Sequence, residues 1–210
     1  MKLKFKDYLN YKWDKSEFMI GTRTGDTDQP VPRGRDWKTP ELYLDHADEL
    51  HNQKDQLCYC NFSLDTHDSR KKVYKVLKDK KCIYFDRMGK WMSPNKINDT
   101  YIQESIKFYE HLSKNKFIIS PRGNGVDCFR TWDALYMKCI PIVPHDDSGI
   151  MERYSDLPIL FTDDYTEINR KYLLNTYNKI LETEYNFEKL FLSYWKKKYT
   201  DDELKKWLTL

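Results

Sequence analysis

The sequence predicts an α/β fold built on a Rossmann-like parallel sheet, and three observations support this prediction. Between residues 57 and 162, five short apolar runs recur along the chain. The segments between them carry apolar residues three or four positions apart, which is the spacing of a helix that buries one face. In addition, 40% of the residues are hydrophobic, which is enough for a core on each side of such a sheet. Strands that alternate with helices favour a parallel arrangement with helices on both faces.

Residues 1–56 lack this regularity, and we assign them to a short, reduced N-terminal region. Residues 21–40 are rich in Gly, Pro, Thr and Asp, a composition typical of loops. A helix is predicted over residues 39–53, with Thr39 as its N-cap and Pro40 at its first position. The α/β domain then occupies residues 57–210.

Five strands are predicted in order, at residues 57–62, 81–86, 116–120, 139–143 and 157–162. Pro141 interrupts the fourth apolar run. Because proline cannot donate a backbone hydrogen bond, we expect an irregular or edge strand there.

Helices are predicted after the strands, at residues 63–79, 100–113, 126–137, 148–155, 165–184 and 187–208. In the first of these, Val73, Val76 and Leu77 form one apolar face. The last two helices form a C-terminal tail. Residues 190–199 (LFLSYWKKKY) are expected to pack along one face, and contact with a membrane surface or a lipid-linked acceptor is the alternative.

Charge and cysteine content limit the class of protein. The 36 Lys and Arg residues outnumber the 33 Asp and Glu residues by too little to suggest a protein that coats nucleic acid through bulk charge. We expect no transmembrane helix, because no apolar run reaches roughly 18 residues, and we expect no secretory signal. The five cysteines lie mostly in apolar runs, which favours reduced thiols in a cytoplasmic protein.

A glycine-containing corner follows the third predicted strand, in residues 120–127 (SPRGNGVD). Open parallel sheets bind ligands at the carboxyl ends of their strands. Gly123 and Gly125 can adopt positive φ and let a ligand approach the backbone. Arg122 and the following helix N-terminus offer a planar cation and unpaired N–H groups, which suit a phosphate.

Arg130 and Asp133 lie three residues apart in that helix and therefore share a face. If the face lines the ligand cleft, Asp133 can accept hydrogen bonds from ribose hydroxyls while Arg130 binds phosphate. The alternative is a glycine turn beside an exposed Arg–Asp pair. The spacing matches neither a Walker A motif nor GxGxxG, which disfavours a kinase or a dehydrogenase.

Residues 117–143 (FIISPRGNGVDCFRTWDALYMKCIPIV) resemble the nucleotide-sugar-binding half of exostosin-like glycosyltransferases, including viral and bacterial sugar transferases. The shared pattern is Pro-Arg-Gly after a strand, then an Arg, an acidic residue before Ala-Leu, and Cys-Ile-Pro. Residues 60–74 (CNFSLDTHDSRKKVY) resemble the segment that opens the same half. The chain departs from the pattern at Asp133, where the family usually has Glu, and at Lys138, where it usually has Gly.

The resemblance implies a GT-B architecture, in which this chain contributes the C-terminal-type half that binds a nucleoside-diphosphate sugar, UDP- or GDP-linked. Such enzymes work without a catalytic metal, because cations and a helix dipole stabilise the departing diphosphate. We therefore predict no cofactor and assign Asp146 and Asp147 to a solvated loop. The expected donor-binding residues are Asn61, Ser63, Arg70, Arg122, Gly123, Asn124, Gly125, Asp127, Arg130 and Asp133.

The general base is left open among Asp26, Asp65 and His67. His67 and Arg70 fall near the start of the first predicted helix. A cation there opposes the helix dipole, which indicates a ligand contact for Arg70. In the competing interpretation, Thr66 or Asp65 caps the helix and its neighbours face solvent.

These observations favour a glycosyltransferase that moves a sugar from a nucleoside-diphosphate sugar to a glycan acceptor. Only residues 1–56 precede the recognised half, which leaves three interpretations: a reduced enzyme, an acceptor half on another domain or chain, or acceptor binding by the loops. The alternative is a non-catalytic nucleotide-sugar-binding module that acts with a partner glycosyltransferase half.

Overall fold

A computed structural model describes residues 1–12, 14–21, 29–35, 54–86 and 99–210. The helix predicted at residues 39–53 and the candidate base Asp26 lie outside these residues. No helix in the described ranges is long and apolar enough to cross a membrane.

The described strands form two sheets. They are β1 (Lys2–Lys4), β2 (Gln56–Cys60), β3 (Tyr84–Phe85), β4 (Asn115–Ile119), β5 (Ile140–Pro144), β6 (Leu160–Thr162) and β7 (Glu184–Asn186). Strands β2 to β6 form a five-stranded parallel sheet in the order β3-β2-β4-β5-β6. The predicted α/β fold class and each of the five predicted strands are thus confirmed.

Seven described α-helices surround the sheet. They are α1 (Phe5–Tyr8), α2 (Asp68–Leu77), α3 (Asp99–Lys114), α4 (Phe129–Tyr136), α5 (Arg170–Glu182), α6 (Leu192–Lys196) and α7 (Asp201–Leu204). Short 3-10 turns occur at Lys15–Glu17, Met151–Tyr154, Tyr165–Glu167 and Phe187–Leu190. The helices predicted at residues 63–79, 100–113 and 126–137 correspond to α2, α3 and α4.

The connections that leave β2 and β4 run toward opposite edges of the sheet. From β2 the chain moves outward to β3, then returns past β2 to β4 and continues to β5 and β6. Right-handed crossovers place helices that move in opposite directions on opposite faces of the sheet. The carboxyl ends of β2 and β4 therefore flank a topological switch point, where sheets of this order open a ligand crevice.

The prediction of an edge or irregular strand at Pro141 was wrong, because β5 is continuous and lies between β4 and β6. Ser120 N donates to Ile142 O at 2.9 Å, so the backbone groups of Pro141 face the other neighbour, β6. Pairing with β6 begins at Ile142, opposite Leu160. The missing N–H of Pro141 therefore lies before the start of β6, where proline removes no ladder bond.

The single helix predicted over residues 187–208 was also wrong. Strand β7 pairs antiparallel with β1, with Leu3 opposite Tyr185, and the chain then forms a 3-10 turn and two short helices. Thr200 starts the second helix through a capping box with Glu203. The Thr-x-x-Glu pattern was present in the sequence as a helix-start signal inside the apolar repeat.

The N-terminal segment contributes to the same hydrophobic core as the sheet. Phe5, Tyr8, Phe18, Met19 and Val31 are all buried. The ring of Tyr8 stacks on Phe187 at 3.8 Å, and its hydroxyl donates to Leu135 O at 3.1 Å. The described part of residues 1–35 thus packs on the α/β unit, while the domain boundary after residue 56 stays a prediction.

Candidate functional site

Two loops meet at the switch point, one after β2 and one after β4. Arg70, in the first turn of α2, joins them. Its Nε donates to Arg122 O at 2.7 Å, and its Nη2 donates to Pro121 O at 3.3 Å. Its Nη1 donates to Ser63 O at 3.0 Å. Because Arg70 is buried and holds three loop carbonyls, its guanidinium fixes the shape of the crevice; a direct donor contact stays a prediction.

The Arg70 guanidinium carries its charge in a partly dry environment. Burial and, to a smaller extent, the nearby charge of Arg130 lower the pKa of Arg70 to about 10. It remains protonated at neutral pH, so two cations are held close together at the crevice. Such an arrangement is unfavourable without an anion nearby.

The loop after β4 needs a glycine at position 123 because of the space beside Arg70 and not because of a positive φ. Positive φ among the described glycines occurs at Gly34 and Gly149, so Gly123 and Gly125 do not use that freedom, contrary to our expectation. A Cβ at position 123 would instead lie 3.0 Å from Arg70 Nη2. The Gly123 amide donates to Gly125 O at 2.9 Å, within a turn whose tip, Asn124, is exposed.

Arg122 and Arg130 approach the crevice from the second loop and from α4. Arg130 Nε donates to Asn61 O at 2.8 Å, which ties α4 to the end of β2. Burial lowers the pKa of Arg130. Arg122 is partly buried, and its Nε has no acceptor among the described residues although the atom is shielded from solvent. Buried guanidinium N–H groups normally find an acceptor.

The two predicted donor-binding carboxylates are both buried. Asp127 accepts hydrogen bonds from Trp132 Nε1 and from Arg33 N, so it links the N-terminal segment to the loop. Burial raises its pKa to about 6. Asp133 Oδ1 accepts from Tyr109 OH at 2.9 Å. Since both carboxylates already have protein partners, their donor-binding roles stay predictions.

The capping residue of α2 is His67, and neither Thr66 nor Asp65 takes that position. Its Nδ1 accepts from Ser69 N at 3.2 Å, so the proton of the neutral ring resides on Nε2. The ring nitrogen that His67 keeps for a further hydrogen bond is therefore a donor. Asp65 is exposed, and the Ser63 hydroxyl accepts from Asp65 N at 3.3 Å.

The sequence interpretation missed Asp86, which follows β3 at the same edge of the sheet. Its Oδ2 accepts from Tyr59 OH at 3.0 Å and from Asn61 Nδ2 at 3.3 Å. The side chain is half-buried, and its position completes a polar row with Asn61 and Arg130 across the ends of β3, β2 and α4. Its place as the last residue of the predicted strand was the available signal.

The sequence interpretation also missed His145, the residue after β5. Its Nδ1 lies 2.9 Å from Glu152 Oε1, and its ring stacks on Phe161 with centroids 5.1 Å apart. We had assigned this stretch to a solvated loop because of Asp146 and Asp147. Within the described part of the chain, no three His, Cys, Asp or Glu side chains converge as metal ligands would.

Comparison with known protein families identifies the domain. The family described as the RXYLT1 C-terminal domain matches residues 40–209, which is most of the chain. The chain belongs to this family. It is therefore an exostosin-like, glycosyltransferase-related domain. A search of curated proteins finds no match to the chain.

Membership of the RXYLT1 C-terminal domain family covers both loops of the crevice and all described site residues. Lys138 is the position at which this chain departs from the resemblance, where a glycine is usual. Lys138 has φ of 56°, in the left-handed region that glycine adopts without strain. Its Nζ donates to Tyr11 O at 2.9 Å, so the lysine ties the N-terminal segment to the end of α4.

Proposed function

We propose that this domain transfers a sugar from a nucleoside-diphosphate sugar to a glycan acceptor. Two findings support the proposal: the chain belongs to a glycosyltransferase-related family, and the loop after β4 and the starts of α2 and α4 at its switch point carry three arginines, Arg122, Arg70 and Arg130. Arg70 shapes the crevice, while Arg122 and Arg130 are the groups we expect to bind the diphosphate.

The observation that carries the proposal is the shielded Arg122 Nε without an acceptor among the described residues. Leaving a buried donor unsatisfied costs about 1–3 kcal/mol, and more when the group is charged. A diphosphate oxygen would satisfy this N–H and would neutralise the neighbouring cation of Arg130. The exposed turn at Asn124 leaves the crevice open to such a ligand.

We further propose that transfer needs no catalytic metal. Fixed positive groups can stabilise the negative charge that develops on the leaving diphosphate in the same way as a bound metal cation does. Guanidinium groups held by Asn61 O and by the loop carbonyls are already oriented for this role. The GT-B architecture and a cytoplasmic location stay predictions from the sequence.

The test is thermal unfolding in the presence of UDP-, GDP- and TDP-sugars, with UDP-xylose included because the family is one of xylosyltransferases. A bound nucleotide raises the unfolding temperature by mass action. We expect one donor to stabilise the chain with EDTA present. Arg122→Ala and Arg130→Ala should each lower the affinity for that donor by about ten- to a hundredfold, because each variant loses one charged hydrogen-bonding group.

Arg170→Ala is the matched control, because it removes an exposed arginine, at the start of α5, that belongs to neither crevice loop. It should bind the nucleotide as the parent does. Equal binding by the parent, Arg122→Ala and Arg130→Ala would place the nucleotide elsewhere. Nucleotide binding that disappears in EDTA would contradict metal independence and would leave the proposed transfer reaction standing.

A non-catalytic nucleotide-sugar-binding module is the second candidate. The observation in its favour is that the matched family is described as a C-terminal domain, a part that could act beside another domain or chain. Release of nucleoside diphosphate from the stabilising donor separates the two: a transferase turns the donor over, whereas a binding module retains it intact.

A further inference from the structure

We infer that His145, oriented by Glu152, is the general base of the transfer reaction, an inference that rests on the proposed function. The side chain of His145 is 47% exposed, yet it is restrained twice. Its Nδ1 contacts Glu152 Oε1 at 2.9 Å, and its ring stacks on Phe161 at an interplanar angle of 24°. The two contacts together hold the ring of an exposed histidine in one orientation.

The contact with Glu152 fixes which ring nitrogen can take a proton. An ionised carboxylate only accepts hydrogen bonds, so His145 Nδ1 carries the proton and Nε2 presents its lone pair. No hydrogen bond from Nε2 to a described residue accompanies the Nδ1 contact, and the side chain as a whole is exposed. A nucleophile's proton transferred to Nε2 would form an imidazolium that the Glu152 carboxylate stabilises, which is the arrangement of a carboxylate-oriented base.

The same reasoning disfavours His67. Its Nδ1 accepts from Ser69 N to cap α2, so its Nε2 bears the proton in the neutral ring. His67 therefore suits hydrogen-bond donation to a phosphate oxygen and cannot remove a proton through its free nitrogen. The two histidines have opposite tautomers because one faces a backbone amide and the other a carboxylate.

The position of His145 also fits. Ser120 N bonds Ile142 O, so the ladder between β4 and β5 continues to within three residues of His145 and two of Arg122. Neighbouring strands are about 4.8 Å apart, which places the two residues on adjacent strand ends at one edge. Cations gather on the β2–β4 side, whereas His145 is accompanied by Asp146 and Glu152, each with one shielded, unpartnered carboxylate oxygen.

This polarity separates the two ends of the reaction. The diphosphate is attracted to the guanidinium groups and repelled from the carboxylates around His145. The acceptor O–H attacks the anomeric carbon while the bond from that carbon to the phosphate oxygen breaks. The leaving diphosphate takes the electron pair, and the acceptor proton moves to His145 Nε2 and then to solvent. One displacement of this kind inverts the anomeric centre.

The test measures diphosphate release from the donor that stabilises the parent most, with simple glycosides as acceptors. His145→Ala should lower kcat by about 100-fold or more and leave the nucleotide affinity within about twofold, since a general base contributes 10²–10⁴. Free imidazole should restore part of the lost rate. Glu152→Gln should lower kcat by at least about tenfold with KM unchanged, because the amide no longer fixes the tautomer.

Asp147→Asn is the control, since it removes a carboxylate from the same loop at an exposed position. It should leave kcat unchanged. If the parent releases diphosphate and His145→Ala does so equally fast, the inference is wrong and the transferase proposal stands. If the parent binds nucleotide and turns over no donor, the transferase proposal is contradicted and the base assignment with it.

Discussion

At position 123, an ideal Cβ would lie 3.0 Å from Arg70 Nη2 and 3.7 Å from Cys128 Sγ. The guanidinium cannot move aside freely, because three of its nitrogens donate to loop carbonyls. A side chain here would therefore loosen the joint between the loops after β2 and β4. The glycine serves the crevice by leaving space for an arginine.

We expect Gly123→Ala to lower the free energy of unfolding by about 1–2 kcal/mol, the cost of weakening charged hydrogen bonds of Arg70. Nucleotide binding should weaken as well, because the loop that carries Arg122 shifts. Urea denaturation and the thermal shift with nucleotide measure the two effects. Asn124→Ala, at the exposed tip of the same loop, is the control for stability. If the stability of Gly123→Ala is unchanged, the Arg70 side chain can move aside without losing its hydrogen bonds.

Lys138 combines a strained backbone with a useful side chain. We expect Lys138→Ala to be less stable than Lys138→Gly by roughly 1 kcal/mol, because alanine keeps the left-handed strain and glycine removes it. Both variants lose the hydrogen bond from Nζ to Tyr11 O. Chemical denaturation of the pair isolates the backbone contribution. An alanine variant as stable as the glycine variant would contradict the strain at this φ.

At the scale of the elements, Lys54 connects the ends of two helices. Its Nζ donates to Leu112 O in the last turn of α3 at 2.7 Å and to Met137 O just after α4 at 2.9 Å. Burial, partly opposed by nearby Cys139, lowers its pKa from 10.5 to about 7. The folded chain thus releases this proton near neutrality, whereas the unfolded chain holds it to much higher pH.

A group that binds its proton more tightly in the unfolded state makes stability rise with pH between the two pKa values. From about pH 7 to about pH 8.5, Lys54 should therefore add roughly 1–2 kcal/mol of stability. The window ends there because burial raises the pKa of Cys58 and Cys139, which act with the opposite sign at higher pH. Urea denaturation of Lys54→Met should lack this rise. If the stability of Lys54→Met rises with pH as much as that of the parent, groups other than Lys54 cause the rise.

The strands and the first helices were predictable because their signals are local. Each of the five apolar runs between residues 57 and 162 contains a strand. Of the predicted apolar face of α2, Val73 and Leu77 are buried, whereas Val76 is exposed. The C-terminal tail was not predictable in the same way. Residues 184–186 form a strand only because Lys2–Lys4 pairs with them across the whole length of the chain.

The site was predictable only in part, for a similar reason. The corner at residues 120–127 was visible because its two glycines and its arginine lie within four consecutive residues. By contrast, the roles of Asp86 and His145 depend on contacts with Tyr59, Asn61, Glu152 and Phe161, which lie far from them or follow no motif. Spacing alone also could not show that Asp127 already binds Trp132 and Arg33.

At the scale of the whole molecule, the N-terminal segment completes the core that lies under the sheet. Phe5 is 1% exposed and has Tyr8 and Tyr177 as ring neighbours, with centroids at 6.2 and 6.4 Å. We expect Phe5→Ala to cost about 3–5 kcal/mol, the usual range for a buried phenylalanine. Urea denaturation checks this, with exposed Lys2→Ala as the control. A cost below about 1 kcal/mol would mean that the segment is an appendage.

The pairing of β1 with β7 has a consequence for biosynthesis. Because translation is vectorial, Phe5 and Tyr8 are made long before residues 184–187, which supply the strand that pairs with β1 and the ring of Phe187 that stacks on Tyr8. These aromatic groups therefore cannot reach their native environment until residues 184–187 have left the ribosome. Burial of the N-terminal segment is thus a late step of synthesis for this domain, and a chaperone that shields Phe5 and Tyr8 in the meantime would raise the yield of folded protein.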